Sequence, residues 1–275
     1  MTRKTLGTSA VVIYALLVSA VASAQTPIRL RKNSFTTAQD VQLGRQAAAD
    51  ARRQLSMLGD GPTNALVDRI GSRLVAAIPA RYRHPGFRYS FDVVNRRNIN
   101  AFALPGGPTF INRGTIQAAR TDDELAGVMA HELAHVVLRH GTLQASKAQK
   151  FQFGAIAGQL LGAIVGGNKG QFIAEGSRIG LGTYFLKYGR EYEREADLLG
   201  AQIMARAGYN PRHMANMFRT IQQRSGSGGP EWLSSHPNPR NRYEAINREA
   251  SMLRVSETAN TGSAFNSVRA RLGTN

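Results

Sequence analysis

The sequence predicts an α+β domain that is mostly helical, with one small antiparallel sheet set among the helices. Three observations lead there. Residues 37–58 and 65–78 carry helical composition or spacing. Residues 87–94, 99–104 and 109–112 form three short strand-like runs punctuated by Pro and Gly. Apolar residues return to helical spacing from 121 onward and stay with it in the later segments.

In chain order, the first 24 residues read as a signal peptide. Arg3 and Lys4 form a basic start, residues 10–21 an apolar run, and Ala22-Ser23-Ala24 a small-residue cleavage pattern. The mature chain is expected to start at Gln25 in a bacterial periplasm, with membrane association left open. An uncleaved N-terminal anchor is the rival reading. No cysteine is present, so neither a disulfide nor a lipid-modified cysteine is available. The remaining stretch of about 250 residues is long enough for one sizeable core. The net charge is +17, and removing Arg3 and Lys4 leaves +15. Such a balance attracts polyanions, and an exported protein meets anionic lipid surfaces first. No basic run is interleaved with aromatics in the manner of base stacking, so nucleic acid is not an expected partner.

Residues 25–35 read as an irregular arm. The helix at 37–58 is expected to stop near Gly59-Asp60-Gly61-Pro62, and the next carries Leu66, Ile70, Leu74 and Ile78 at i,i+4. Pro105-Gly106-Gly107-Pro108 joins the second and third strands. Thr121 is a candidate N-cap and Glu124 the closing residue of a capping box. The helix that follows contains His131-Glu132-Leu133-Ala134-His135, or H-E-x-x-H. At this spacing the two imidazoles project from one side and can hold Zn²⁺, with Glu132 beside its water. A catalytic zinc usually takes a third protein ligand. The extended pattern with Gly at 138 and His at 141 is absent, because Leu138 and Gly141 stand there. His140 is expected to be a cation favourable at a helix end. A carboxylate from a later helix remains, and Glu191, Glu193, Glu195 and Asp197 offer two i,i+4 pairs. Ala130, Ala134, Ala196 and Gly200 would let the two helices approach closely.

Residues 153–189 are rich in Gly and apolar side chains. A packed helical hairpin, a flap over the cleft and a membrane-surface contact are all open readings of them. A helix is expected over 212–224, a flexible loop over 225–230 and a last helix to about 254. Residues 255–275 look polar and disordered.

H-E-L-A-H at 131–135 followed by E-R-E-A-D-x-x-G at 193–200 resembles the HtpX and CAAX prenyl protease family of zinc metallopeptidases. Residues 100–107, residues 109–114 and His236-Pro237 with Arg242 six residues on resemble further elements of that family, so the likeness spans about 36–250. It implies a zincin-type domain over 36–254 with one zinc per chain, held by His131, His135 and Glu193. It implies that Glu132 is the general base and that Asp197 orients a zinc-bound histidine. His236 is then a candidate donor to the developing oxyanion, and Arg242 a support for it or for the carboxylates. Asn100, Ala101, Phe102 and Ala103 would be the edge strand that pairs with an extended substrate. No tetratricopeptide period follows, which suggests the compact periplasmic branch. The implied function is a zinc metalloendopeptidase of the cell envelope that cleaves unfolded or misfolded exported and outer-membrane proteins. The alternative is a chaperone-like binding factor in which zinc only staples two helices.

Overall fold

The computed structural model describes residues 25–149, 188–224, 232–233, 236, 241–256 and 262–273. Two long helices come first, α1 (Thr37–Gln54) and α2 (Gly61–Ala76). After a 3₁₀ turn at Ala80–Tyr82 follow β1 (Ser90–Val94), β2 (Ala101–Ala103) and β3 (Pro108–Asn112). Then come α3 (Arg113–Ala118), α4 (Asp122–Val137), α5 (His140–Gln149), α6 (Arg190–Arg206), α7 (Arg212–Gln223), α8 (Arg242–Met252) and α9 (Gly262–Gly273). The α+β expectation holds. The leader at 1–24, the Gly-rich stretch over 153–187 and the loop at 225–230 lie outside the described residues.

Local chemistry sets the helix ends. Thr36 and Gln39 close a capping box on α1. The helix stops at Gln54, earlier than expected, because the chain turns extended and Met57 bridges to Val94. The expected stop near Gly59 is also a start: the Asp60 side chain accepts from Thr63 N–H, and Pro62 sits in the first turn of α2.

The sheet runs β1-β3-β2. β2 and β3 form the expected antiparallel pair, but β1 lies parallel to β3, so the sheet is mixed rather than antiparallel throughout. β3 is the strand best suited to the centre, with Thr109, Phe110, Ile111 and Asn112 buried on both faces. It inserts between β1 and β2, which leaves β2 on an edge. The turn that delivers β3 needs glycine. Gly106 and Gly107 have φ of 79° and 133°, and a Cβ on Gly107 would lie 2.3 Å from the Arg88 carbonyl oxygen.

The C-terminal stretch is not the disordered tail its polarity suggested. Residues 262–273 form α9, which buries Phe265, Val268 and Leu272 against the core near α2 and α3. Three apolar residues at helical spacing supply a sufficient stripe, although the residues between them are polar. The arm at 25–35 has no regular structure but is held in place. Ile28 is buried and its carbonyl accepts from the Tyr82 hydroxyl at 2.8 Å, while Thr26 N–H donates to Glu249 at 3.0 Å.

At the centre lies α4. From Glu124 to Val137 every residue is buried, against α6, α7, α2 and the sheet. No described helix is long and apolar enough to cross a membrane.

Candidate metal centre

The central helix starts as its sequence suggests, with one difference. The Thr121 side chain accepts from Glu124 N–H at 3.2 Å, but the Glu124 carboxylate takes the Arg120 N–H at 2.7 Å and the Arg120 guanidinium instead of closing the box. Two turns on, His131 and His135 share one face, and their Nε2 atoms are 3.1 Å apart. Helix α6 crosses close to this face. A Cβ built on Gly200 would meet the Ala130 carbonyl at 3.2 Å, so the backbones touch where the small residues predicted contact.

That crossing brings Glu193 opposite the histidines. Its Oε1 is 3.4 Å from His135 Nε2 and its Oε2 3.5 Å from His131 Nε2. The other acidic pair of α6 faces elsewhere: Glu191 and Glu195 both meet Arg31 of the arm. Asp197, one turn beyond Glu193, lies 3.1 Å from His131 Nδ1 and takes two contacts from Arg242, at 2.7 and 3.1 Å. The Arg242 guanidinium lies over Phe218 at 3.9 Å, which keeps it aimed at Asp197.

His236 enters the same cluster from the segment between α7 and α8. Its Nδ1 is 3.0 Å from Glu193 Oε1 and 3.2 Å from His131 Nε2, and its Nε2 is 3.4 Å from Glu132 Oε1. His131, His135, Glu193 and His236 thus offer four ligand atoms within 4.8 Å of one another, all buried. This set fits a metal ion. Three ring nitrogens lie 3.0–3.5 Å from the Glu193 carboxylate, and those of His135 and His236 lie 3.1 and 3.2 Å from that of His131. Glu193 Oε2 is buried without a hydrogen bond, with the Arg242 guanidinium 3.3 Å and His131 Nε2 3.5 Å away. Sequence reasoning gave His236 an oxyanion role and did not foresee that it could be a fourth ligand.

The electrostatics separate the residues. Burial pushes His131 and His135 down, His135 to about 3, so both are neutral and able to ligate. Burial would raise Glu193, but His236, His135 and His131 outweigh it and hold the carboxyl well below the usual range. Glu132 goes the other way: burial lifts it to about 7, against the pull of His236 and the Trp232 indole N–H. That N–H donates to Glu132 Oε1 at 3.1 Å. Burial likewise lifts Asp197 to about 7, against Arg242.

A small cavity of about 10 Å³, lined by Ala103, Leu104, His135, Val136 and Tyr188, lies between the end of the edge strand and His135. Ala101–Ala103 is strand β2, and Phe102 stacks on Phe110 at 4.9 Å. Asn100 is tied to Thr115 through its N–H and its carbonyl. Three further residues were missed or misread. His140 is not a helix-end cation. It is the first residue of α5, 1% exposed, with its pKa lowered by burial. The chain's single Trp, Trp232, holds Glu132, and Tyr188 stacks on His135 at 4.2 Å. A lone Trp four residues before the H-P pair was the one sequence signal available for any of them.

A family model described as peptidase family M48 matches residues 62–250. The chain is 27% identical over 228 residues to the beta-barrel assembly-enhancing protease of Escherichia coli, covering 81% of this chain and 46% of that protein. It is 30% identical over 204 residues to the mitochondrial metalloendopeptidase OMA1 of Saccharomyces cerevisiae, covering 68% and 56%. It is 32% identical over 178 residues to the mitochondrial metalloendopeptidase OMA1 of Bos taurus, covering 61% and 34%. The chain therefore spans about half or less of the length of these curated relatives.

Proposed function

The chain belongs to peptidase family M48, and on that footing we propose that it is a zinc metalloendopeptidase of the bacterial cell envelope. Its substrates in this reading are unfolded or misfolded exported and outer-membrane proteins. The names of its relatives support this, since one group is named for beta-barrel assembly and another as metalloendopeptidases. The leader-like residues 1–24 support export to the periplasm. The excess of basic residues supports contact with an anionic membrane surface.

The observation that carries the reading is the buried Glu132, placed at the edge of the His131, His135 and Glu193 cluster and lifted to about 7. Zinc held there, one per chain, would supply a Lewis acid for the peptide carbonyl and lower the pKa of a bound water toward about 7. Glu132 takes the proton of the attacking water and passes it to the leaving amine. Trp232 fixes the carboxylate for that transfer. Asp197, clamped by Arg242, accepts from His131 Nδ1–H and turns its Nε2 toward the cluster. In this reading the half-buried end of the β2 edge, at Ala103, pairs with the extended substrate beside His135. His236, whose Nε2 lies 3.4 Å from Glu132 Oε1, would donate to the developing oxyanion.

A second reading has one observation in its favour. Four protein donors make a closed set, as in structural zinc sites, and a non-proteolytic binding factor needs nothing more. Hydrolysis of unfolded casein separates the two. Cleavage should stop on treatment with a chelator and return with zinc. A zinc-loaded protein with no activity on any unfolded substrate would favour the binding factor.

A further inference from the structure

The two proposed histidine ligands are supported in different ways on their far sides. His131 Nδ1 has a carboxylate, Asp197, at 3.1 Å. His135 Nδ1 has none among the described residues; its neighbour at 3.0 Å is the Nδ1 of another histidine, His140. Beyond it, His140 Nε2 lies 3.2 Å from Glu195 Oε2. Glu195 in turn meets Arg31 of the N-terminal arm at 2.7 Å, and Arg31 also reaches Glu191. Tyr192 packs flat on the His140 ring at 4.6 Å and 18°, with the Arg31 guanidinium 5.5 Å above its own ring. His135 and His140 are both nearly excluded from solvent.

These contacts allow one proton arrangement when His135 ligates through Nε2, the atom that faces Glu193 and His131. Its only ring proton is then on Nδ1 and must be donated to His140 Nδ1. With that nitrogen accepting, the His140 proton is on Nε2 and is donated to Glu195. The reverse order would put a proton on His135 Nε2 and remove it as a ligand. We propose that His140 is a positioning residue: the His135–His140–Glu195–Arg31 chain holds His135 in its metal-binding tautomer and ties the metal site to the N-terminal arm. This rests on the zinc reading above. It adds a histidine as the orienting group, where a carboxylate or a backbone carbonyl would be usual.

The test uses zinc affinity, measured by competition with a chromophoric chelator, and the ring-nitrogen NMR signals of the zinc-loaded protein. His140→Phe keeps the ring and removes the acceptor; His140→Asn keeps an acceptor atom near the Nδ1 position. His140→Phe should lose on the order of 10–100-fold in zinc affinity. His140→Asn should stay within about fivefold of the parent, a rescue that packing alone would not give. In the parent, His135 should carry its proton on Nδ1 and His140 on Nε2. Parent-like affinity in His140→Phe, an equal loss in both variants, or a proton on His140 Nδ1 would overturn the proposal. Should His140→Phe fail to fold, the tautomers of the parent decide alone. A parent that takes up no zinc defeats the metal reading itself, a result distinct from a zinc-binding parent indifferent to His140.

Discussion

Glu132 and Glu193 are both buried glutamates, yet their surroundings drive them apart. Burial dominates at Glu132 and lifts it to about 7, the range of a proton acceptor at neutral pH. At Glu193 the imidazoles of His236, His135 and His131 outweigh burial and keep it ionised, as a ligand must be. Glu193→Ala should therefore abolish stoichiometric zinc binding, read by elemental analysis; full occupancy would move the ligand role to another carboxylate. A pH prediction follows from Glu195. Burial would raise it, but the hydrogen bonds from His140 and Arg31 hold it near 2. A carboxylate with a depressed pKa stabilises the fold above its unfolded value of about 4.5 and loses that stabilisation as pH falls toward 2. In zinc-free protein, Glu195→Gln should cost about 1.5–3 kcal/mol at pH 6, with the difference shrinking below pH 4.5, by urea unfolding. The H-E-x-x-H spacing made His131, Glu132 and His135 legible from sequence, because one helix fixes all three. His140 was not legible, since its partner Glu195 comes from another helix, and what reads as a helix-end cation is a buried imidazole 3.2 Å from that carboxylate.

Among the elements, the α4–α6–α7 contacts decide whether the cluster forms. Gly127 of α4 lies under α7, where an added Cβ would fall 2.7 Å from the Met214 Cα. Gly127→Ala has no flexible neighbour to displace and should destabilise by about 1–3 kcal/mol, with a fall in zinc affinity as α4 shifts. The small residues that predicted the α4–α6 approach were readable because helix contact is a matter of side-chain size. The parallel β1–β3 pairing was not, since it depends on which strand takes the centre, and a local pattern of three short runs does not encode that. α9 was overlooked because Phe265, Val268 and Leu272 are diluted by polar residues. Phe265→Ala should cost about 3–5 kcal/mol by thermal or urea unfolding, against almost nothing for a residue in a free tail.

Taken whole, the molecule encloses its candidate metal site between helices that are far apart in sequence, with the arm at 25–35 running from Glu249 past Glu195 to Thr142. Zinc bound by the folded state alone stabilises it by mass action. At about a hundredfold over the dissociation constant this amounts to about 2.7 kcal/mol, so a chelator should lower the thermal midpoint by several degrees. The order of motifs along the chain carried the functional reading, while His236 as a possible fourth ligand needed the three-dimensional assembly. The most direct measurement is peptide hydrolysis by Glu132→Gln at matched zinc content. This change keeps side-chain size and removes the proton acceptor without touching His131, His135 or Glu193. Hydrolysis of unfolded casein should fall by on the order of 10²–10⁴-fold, with zinc content and thermal midpoint near those of the parent. Activity within about threefold of the parent at equal zinc would contradict the assignment of Glu132 as the general base of a zinc peptidase.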